Sequence, residues 1–292
     1  MITGAGGQLG RELAARLGPG QLAVDRRGLD ISDQNAVQAY CEANKPAAIV
    51  NCAAYTAVDR AESEPEAAFA VNERGAINLA VAARNLDIPL IHISTDFVFA
   101  GRKSSPYKES DRVAPLGVYG RSKLAGERGV LATWPRSLII RTGWLYAAHG
   151  RNFLNTMLHY ARERGQLRVV ADQVGTPTYA GDLAAAVVEI LVGNLLPDSA
   201  GARHYGALAG QGASGQIFHY ANEGVASWYD FACAIVELSG IPCRVEPITT
   251  REYPTPARRP SYSVLNKEKI KKRFGLSIPH WRDSLRGSLG GG

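Results

Sequence analysis

No stretch of the chain stays apolar for the ~20 positions that a membrane-crossing helix needs. The opening MITGAGGQLG also lacks the basic start and long apolar core of a secretion signal. A cytoplasmic protein with no membrane partner is expected. Cysteine is scarce: Cys41, Cys52, Cys233 and Cys243 show no CxxC spacing, and a chain of 292 residues needs no disulfide staples. Reduced, partly buried thiols are expected. The six histidines form no HExxH pair, and none stands near a cysteine at zinc-ligand spacing, so no catalytic metal is expected. Long runs of one charge are missing as well. The net charge is +6, but Arg and Lys are scattered rather than gathered into a stripe, which argues against nucleic acid. A small anionic substrate accounts for the excess, and so does a general surface bias.

What is present is an alternation. The apolar runs AAIVNCAA (47–54), PLIHIST (89–95) and RSLIIRTGW (136–144) have the length and composition of buried strands. Between the first two, PEAAFAVNERGAINLAVAARNL (65–86) carries apolar residues at helical spacing, with Pro65 suited to a first turn. This is the α/β pattern of stacked βα units around a parallel sheet. After Gly150 it becomes less regular. The segment 194–216 is rich in Gly, Ala and Ser and reads as a surface loop or insertion. SWYDFACAIVELSG (227–240) reads as a helix capped by Ser227 and stopped by Gly240, whereas the three prolines of 249–266 exclude regular structure there.

The opening places Gly4, Gly7 and Gly10 in a GxxGxxG spacing that runs into the helical pattern LGRELAARLG. Such a turn lets backbone approach a pyrophosphate at a helix N-terminus; a tight turn that merely packs strand on helix has the same spacing. Asp25, about twenty residues beyond the first glycine, stands where an acid binds the adenosine ribose. Arg26 and Arg27 follow at once and suit a 2′-phosphate, so NADH and NADPH both stay open. LDISD (29–33) and NCAAYTAVD (51–59) follow the next strands and are expected to line the same crevice. Only Met1, Ile2 and Thr3 precede Gly4, fewer than the usual ~5 residues of a strand. Either the first strand is very short or the start is truncated.

Tyr119 and Lys123 stand four apart in a helical pattern, so their heads can approach a common point. An ammonium ~5 Å from a phenol, at an effective dielectric of ~20, favours phenolate by ~3 kcal/mol, or ~2 pK units. Such a tyrosine can protonate a carbonyl oxygen while hydride reaches carbon. The strand 89–99 ends in Ser94, Thr95 and Asp96, and Thr95 can bond the same oxygen; a strand-end turn satisfying its own backbone is the plainer reading.

GxxGxxG, NCAAYTAVD, HISTDFVF and YGRSK, in this order, resemble the extended short-chain dehydrogenase/reductase superfamily. Adding STDFVFAG, RTGWLY, DQVGTPTYAGDLA and YPTPARRPSYSVLN, nearly the whole chain resembles the dTDP-4-dehydrorhamnose reductase family. The resemblance implies a Rossmann-type doubly wound parallel sheet with a smaller C-terminal substrate lobe. Residues 1–150 would form the NAD(P)-binding domain, about 170–185 and 217–240 would return to it, and 151–292 would mainly form the lobe. It also implies NAD(P)H-dependent reduction of the 4-keto group of a dTDP-6-deoxy-hexulose. Carried over residue by residue, Tyr119 is the proton donor, Lys123 its activator and holder of the nicotinamide ribose, and Thr95 the tuning hydroxyl. The glycine turn with Gln8 and Leu9 meets the pyrophosphate. Asp25, Arg26, Asp30 and Ile31 meet the adenosine, and Ala53, Ala54 and Tyr55 the middle of the cofactor. Thr95, Asp96, Trp144 and Val58 contact the dTDP-sugar, while Arg258 and Arg259 are candidates to clamp its diphosphate. The chain departs from the family at Phe97, where tyrosine is common. A sugar-nucleotide 4,6-dehydratase would have a glutamate there, and a non-catalytic subunit, such as the related β subunit of methionine adenosyltransferase, would not need the intact Thr95, Tyr119 and Lys123. A structural Mg²⁺ and a homodimer stay open.

Overall fold

The structure is a computed structural model that describes residues 1–196 and 216–290. The expected loop at 194–216 falls almost wholly outside them. Five parallel strands come first: β1 (Ile2–Thr3), β2 (Ala23–Val24), β3 (Ile49–Asn51), β4 (Leu90–Thr95) and β5 (Leu138–Thr142). A sixth, Ile217–His219, pairs parallel with the free side of β5, so the sheet runs in the order 217–219, β5, β4, β3, β1, β2. The three apolar runs picked out in the sequence are β3, β4 and β5. They are buried on both faces, as a sheet covered by helices requires.

The strand order reverses between β1 and β3: the chain moves outward from β1 to β2, then returns to β3 on the other side of β1. Ligands of open α/β sheets bind at this reversal, beyond the strand ends. β1 is only two residues long, and the Met1 amino group extends its pairing by donating to the Ala48 carbonyl at 2.7 Å.

The helical segment expected at 65–86 is not uniform. It starts at Pro65, passes through a π-helical turn at Ala70–Gly75, and resumes as an α-helix over Ala76–Asn85. A π turn inserts one extra residue, and here it turns Asn72 inward. The Asn72 side chain accepts from Tyr55 N at 2.8 Å and donates to Tyr55 O at 3.1 Å and to Ser122 Oγ at 3.0 Å. The loop after β3 is thereby tied to the helix Val118–Thr133.

After β5 the chain leaves the sheet for helix Phe153–Arg164 and strand Gln166–Val170. It returns with helix Ala180–Ile190, whose Leu183, Val187 and Ile190 join the main core with Leu9 and Leu13. It leaves again after 217–219 for helix Trp228–Ser239, which packs with helices Phe153–Arg164 and Trp281–Gly290 around Phe231, Ile235 and Trp281. Strand Arg244–Ile248 pairs parallel with Gln166–Val170 beside them. The ends of helix Trp228–Ser239 are as the sequence indicated. Ser227 and Asp230 form a reciprocal capping box, and Gly240 ends the helix at φ 66°.

Candidate active site

A cavity of about 900 Å³ opens beyond the C-terminal ends of β1, β3, β4 and β5. One end is the glycine turn. Gly4 has φ +67°, and a Cβ there would lie 2.6 Å from Ala53 N. Only glycine lets the ends of β1 and β3 meet in this way. The helix Gln8–Leu17 that follows has no side-chain cap, so its first amides face the cavity unclaimed by protein side chains. An uncapped N-terminus over a backbone-to-backbone cradle fits a pyrophosphate. Gln8 is fixed from the far side, donating to Leu145 O and accepting from Asn152 Nδ2 at 2.8 Å.

Asp25, Arg26, Asp30 and Ile31 form the next stretch of wall. Asp25 Oδ1 accepts from the amides of Arg27 at 2.9 Å and Gly28 at 3.2 Å, which curls this loop. Arg26 lies 3.6 Å from Asp30 and is largely exposed, while Arg27 does not reach the wall. Ser32 bonds hold the Asp30 carboxyl below its usual range. Ala53, Ala54, Tyr55 and Val58 line the middle.

At the other end, Thr95, Asp96, Tyr119, Lys123 and Trp144 share one wall. Helix Val118–Thr133 delivers two of them, and Glu62 fixes its start by accepting from Val118 N at 2.7 Å. The Thr95 hydroxyl donates to Asp96 Oδ1 at 3.1 Å and accepts from Phe97 N at 3.2 Å, and it lies near enough to the Tyr119 phenol to act against the rise in its pKa. The expected depression of the phenol is not found. Burial pushes Tyr119 up to about 12, and the nearby Asp96 adds to the rise. Lys123 does not offset this because its Nζ is drawn inward, donating to Ile93 O at 2.6 Å. Burial brings Lys123 itself down to about 8. Phe97 packs edge-on against the Tyr119 ring, with centroids 5.6 Å apart. Phe97 thus gives the phenol an apolar wall.

Asp96 is 2% exposed, and burial lifts its carboxyl to about 6 against the opposing Thr95 and Ser263 hydroxyls. Gly143 makes room for it, since a Cβ there would lie 2.6 Å from Asp96 Cγ. Trp144 adopts a left-handed backbone conformation, φ +51°, that costs a bulky residue energy. Its indole lies flat on that of Trp228, centroids 3.5 Å apart and planes 2° apart, with Gly175 leaving space at the ring edge. Trp228 carries no signal of its own in the sequence, where it reads simply as the first residue of a helix. Of the two arginines in TPARRP, Arg259 lines the cavity and is held by Asp59 through contacts of 2.8 and 3.1 Å; Arg258 points to solvent and is not in the wall.

Residues 1–290 match the family model described as "RmlD substrate binding domain". A dTDP-4-dehydrorhamnose reductase of Aggregatibacter actinomycetemcomitans is 43% identical over 297 residues, covering 98% of this chain and 96% of the relative. The chain belongs to the dTDP-4-dehydrorhamnose reductase family. Among solved structures, a dTDP-4-dehydrorhamnose reductase from Clostridium acetobutylicum superposes with a TM-score of 0.89 at 39% identity, covering 99% of this chain and 97% of the other. One from Bacillus anthracis, in complex with NADP, does so with a TM-score of 0.89 at 35% identity and the same coverage. As a dTDP-4-dehydrorhamnose reductase family member the chain is an NAD(P)H-dependent oxidoreductase on a Rossmann-type sheet. Among the described residues no helix is long and apolar enough to cross a membrane, and no group of three or more His, Cys, Asp or Glu is placed to hold a metal ion.

Proposed function

We propose that this site reduces the 4-keto group of dTDP-4-dehydro-L-rhamnose to give dTDP-L-rhamnose, with Tyr119, Lys123 and Thr95 carrying the chemistry. The observation behind this reading is that Tyr119, Thr95 and Lys123 line the same cavity together, in a chain of this family. NADPH or NADH supplies the hydride. Gly4, Gly7, Gln8, Leu9 and Gly10 hold its pyrophosphate, Asp25, Arg26, Asp30 and Ile31 its adenosine, and Ala53, Ala54 and Tyr55 its middle. Lys123 holds the nicotinamide ribose.

Tyr119 then acts as the acid. A phenol raised to about 12 keeps its proton at neutral pH until the substrate oxygen gains enough negative charge to take it. Thr95, beside the phenol, orients that proton as the substrate oxygen arrives. Asp96, Val58 and the face of Trp144 surround the sugar, and Arg259 reaches the diphosphate once it shares its fork with Asp59. Arg258, on the solvent side, is left with a steering role at most.

The sheet with residues 1–150, helix Ala180–Ile190 and strand Ile217–His219 serves the cofactor, and the remainder of 151–292 serves the sugar. A highly charged sugar nucleotide and reduced nicotinamide do not cross membranes unaided, which favours the cytoplasm as the place of action. A homodimer is compatible with the reading.

The test is to follow reduced-nicotinamide absorbance with purified protein and each sugar nucleotide. Loss that depends on dTDP-4-dehydro-L-rhamnose is expected. Turnover of dTDP-glucose with no net loss of cofactor would indicate a dehydratase, a reaction disfavoured by Phe97 in the glutamate position. Cofactor binding with neither sugar consumed would indicate a regulatory subunit.

A further inference from the structure

Behind Lys123 lies a chain of buried polar side chains to which the proposed chemistry assigns no role. Thr3, Asn51 and His92 are each 1% exposed and Lys123 2% exposed. Their hydrogen-bond directions can be worked out from one fixed donor. Ala53 N, a backbone amide that can only donate, reaches Asn51 Oδ1 at 3.0 Å, and Thr3 Oγ1 reaches the same oxygen at 2.8 Å. The oxygen of the Asn51 amide is thereby assigned, and its NH₂ faces His92 Nδ1 at 2.9 Å. Only a ring nitrogen with a free lone pair can receive that donor. The imidazole therefore carries its proton on Nε2, the nitrogen 3.5 Å from Lys123 Nζ.

An N–H pointing at a lysine nitrogen discriminates between its two protonation states. Neutral Nζ has a lone pair and can accept from Nε2–H while still donating to Ile93 O. An ammonium has only donors, and one turned towards His92 would meet another donor. Protonating Nζ forms one N–H bond with a proton from solvent and changes no other bond. It frees the head from His92 and leaves two of its three donors for the cavity side.

We propose that His92 is a positioning residue for Lys123: fixed by Asn51 in the Nε2–H tautomer, it favours the amine and so sets the pH at which Lys123 becomes the ammonium that the cavity uses. This rests on the role given to Lys123 above. Burial also acts on Lys123 in the same direction, and it keeps His92 neutral by pushing its pKa well below the usual value. Four other titratable groups stand around Lys123. Glu127, one turn along the same helix, favours the ammonium but is engaged by Arg141 and Ser94. The Cys52 thiol at the end of β3 also favours the ammonium, though burial raises its own pKa to about 12. Tyr119, on the same helix, and Asp96, at the end of β4, complete the neighbourhood.

The experiment is an NMR titration of the full chain labelled at lysine Cε, without cofactor or sugar, with the Lys123 signal assigned through Lys123→Arg. Lys123 should bind protons at least about tenfold more weakly than the exposed lysines. In His92→Leu the N–H is gone while the apolar surroundings stay, and proton affinity should rise by about tenfold. In Asn51→Asp the carboxylate takes the same bonds from Ala53 and Thr3 but accepts from His92 Nδ1–H. The tautomer reverses, Nε2 becomes an acceptor, and affinity should rise at least as far. If His92 only fills space, His92→Leu leaves the titration unchanged or lowers it further, which overturns the proposal. So does a Lys123 that titrates with the exposed lysines in the unsubstituted protein, a result that needs neither variant to fold. No turnover enters the titration, so failure of the reductase reading shows separately, as absence of keto-sugar-dependent nicotinamide loss.

Discussion

Arg141 and Glu127 meet in a two-pronged ion pair, Nε to Oε1 at 2.8 Å and Nη2 to Oε2 at 2.7 Å, with side chains only 3% and 2% exposed. It joins β5 to helix Val118–Thr133, and Ser94 adds a third bond to the carboxylate. Removing one member of such a pair leaves the other charged, buried and alone. Glu127→Gln should cost about 3–5 kcal/mol of stability in urea unfolding. Glu127→Leu combined with Arg141→Met should recover much of it. A single-variant loss below about 1 kcal/mol would mean that water reaches the pair.

Tyr119→Phe removes the proposed acid without disturbing the ring contact with Phe97. Turnover should fall by about two decades or more, the scale of general-acid catalysis, while reduced cofactor binds as before. Steady-state kinetics beside a fluorescence titration of cofactor would check both, and near-normal kcat would remove Tyr119 from the mechanism.

Asp96 couples stability to pH. Its carboxyl is raised from 3.8 to about 6, so the folded protein holds a proton there that the unfolded chain releases. The charged form is the costly one, and stability is lost as pH rises through that interval. Asp96→Asn should therefore be more stable than the parent above pH ~6, by up to about 3 kcal/mol, with the difference vanishing below pH ~4. Melting temperatures across this range test the sign. The same variant should raise KM for the sugar nucleotide.

Cofactor choice is assigned to the loop that Asp25 curls. A carboxylate there suits a free ribose 2′-hydroxyl, and the exposed Arg26 beside it suits a 2′-phosphate. Asp25→Ala should shift kcat/KM towards NADPH, and Arg26→Ala towards NADH. Ratios that move in neither variant would locate the discrimination elsewhere.

The elements with sharp local signals were legible in the sequence. Runs such as RSLIIRTGW can be little else than buried strands, and Ser227 and Gly240 mark both ends of a helix by the chemistry of capping. The glycine turn, the strand-end Thr95 and Asp96, and the Tyr119–Lys123 spacing likewise pointed to one cavity. What escaped depends on partners distant in sequence. The π turn in 65–86 keeps an apolar periodicity that reads as plain α-helix, and the bond it allows, between Asn72 and Tyr55, spans seventeen residues. Four-residue spacing puts Lys123 near Tyr119 but cannot tell that Ile93 and His92 will draw its head inward. Nor can the pair Arg258–Arg259 reveal which of two neighbours faces the cavity.

The repeated excursions of the chain away from the sheet and back bear on how this protein can be altered. A fragment ending at residue 150 would lack Leu183, Val187 and Ile190 from its core and would leave the outer edge of β5 open, an apolar Leu-Ile-Ile ribbon ready to pair with another chain. A fragment beginning there would carry a strand and a helix with no sheet to rest on. The two halves are therefore not modules that can be exchanged at one joint. A change in what the cavity accepts has to be introduced by point changes in its lining, such as around the stacked Trp144 and Trp228, or by grafts that carry several separate stretches of chain at once.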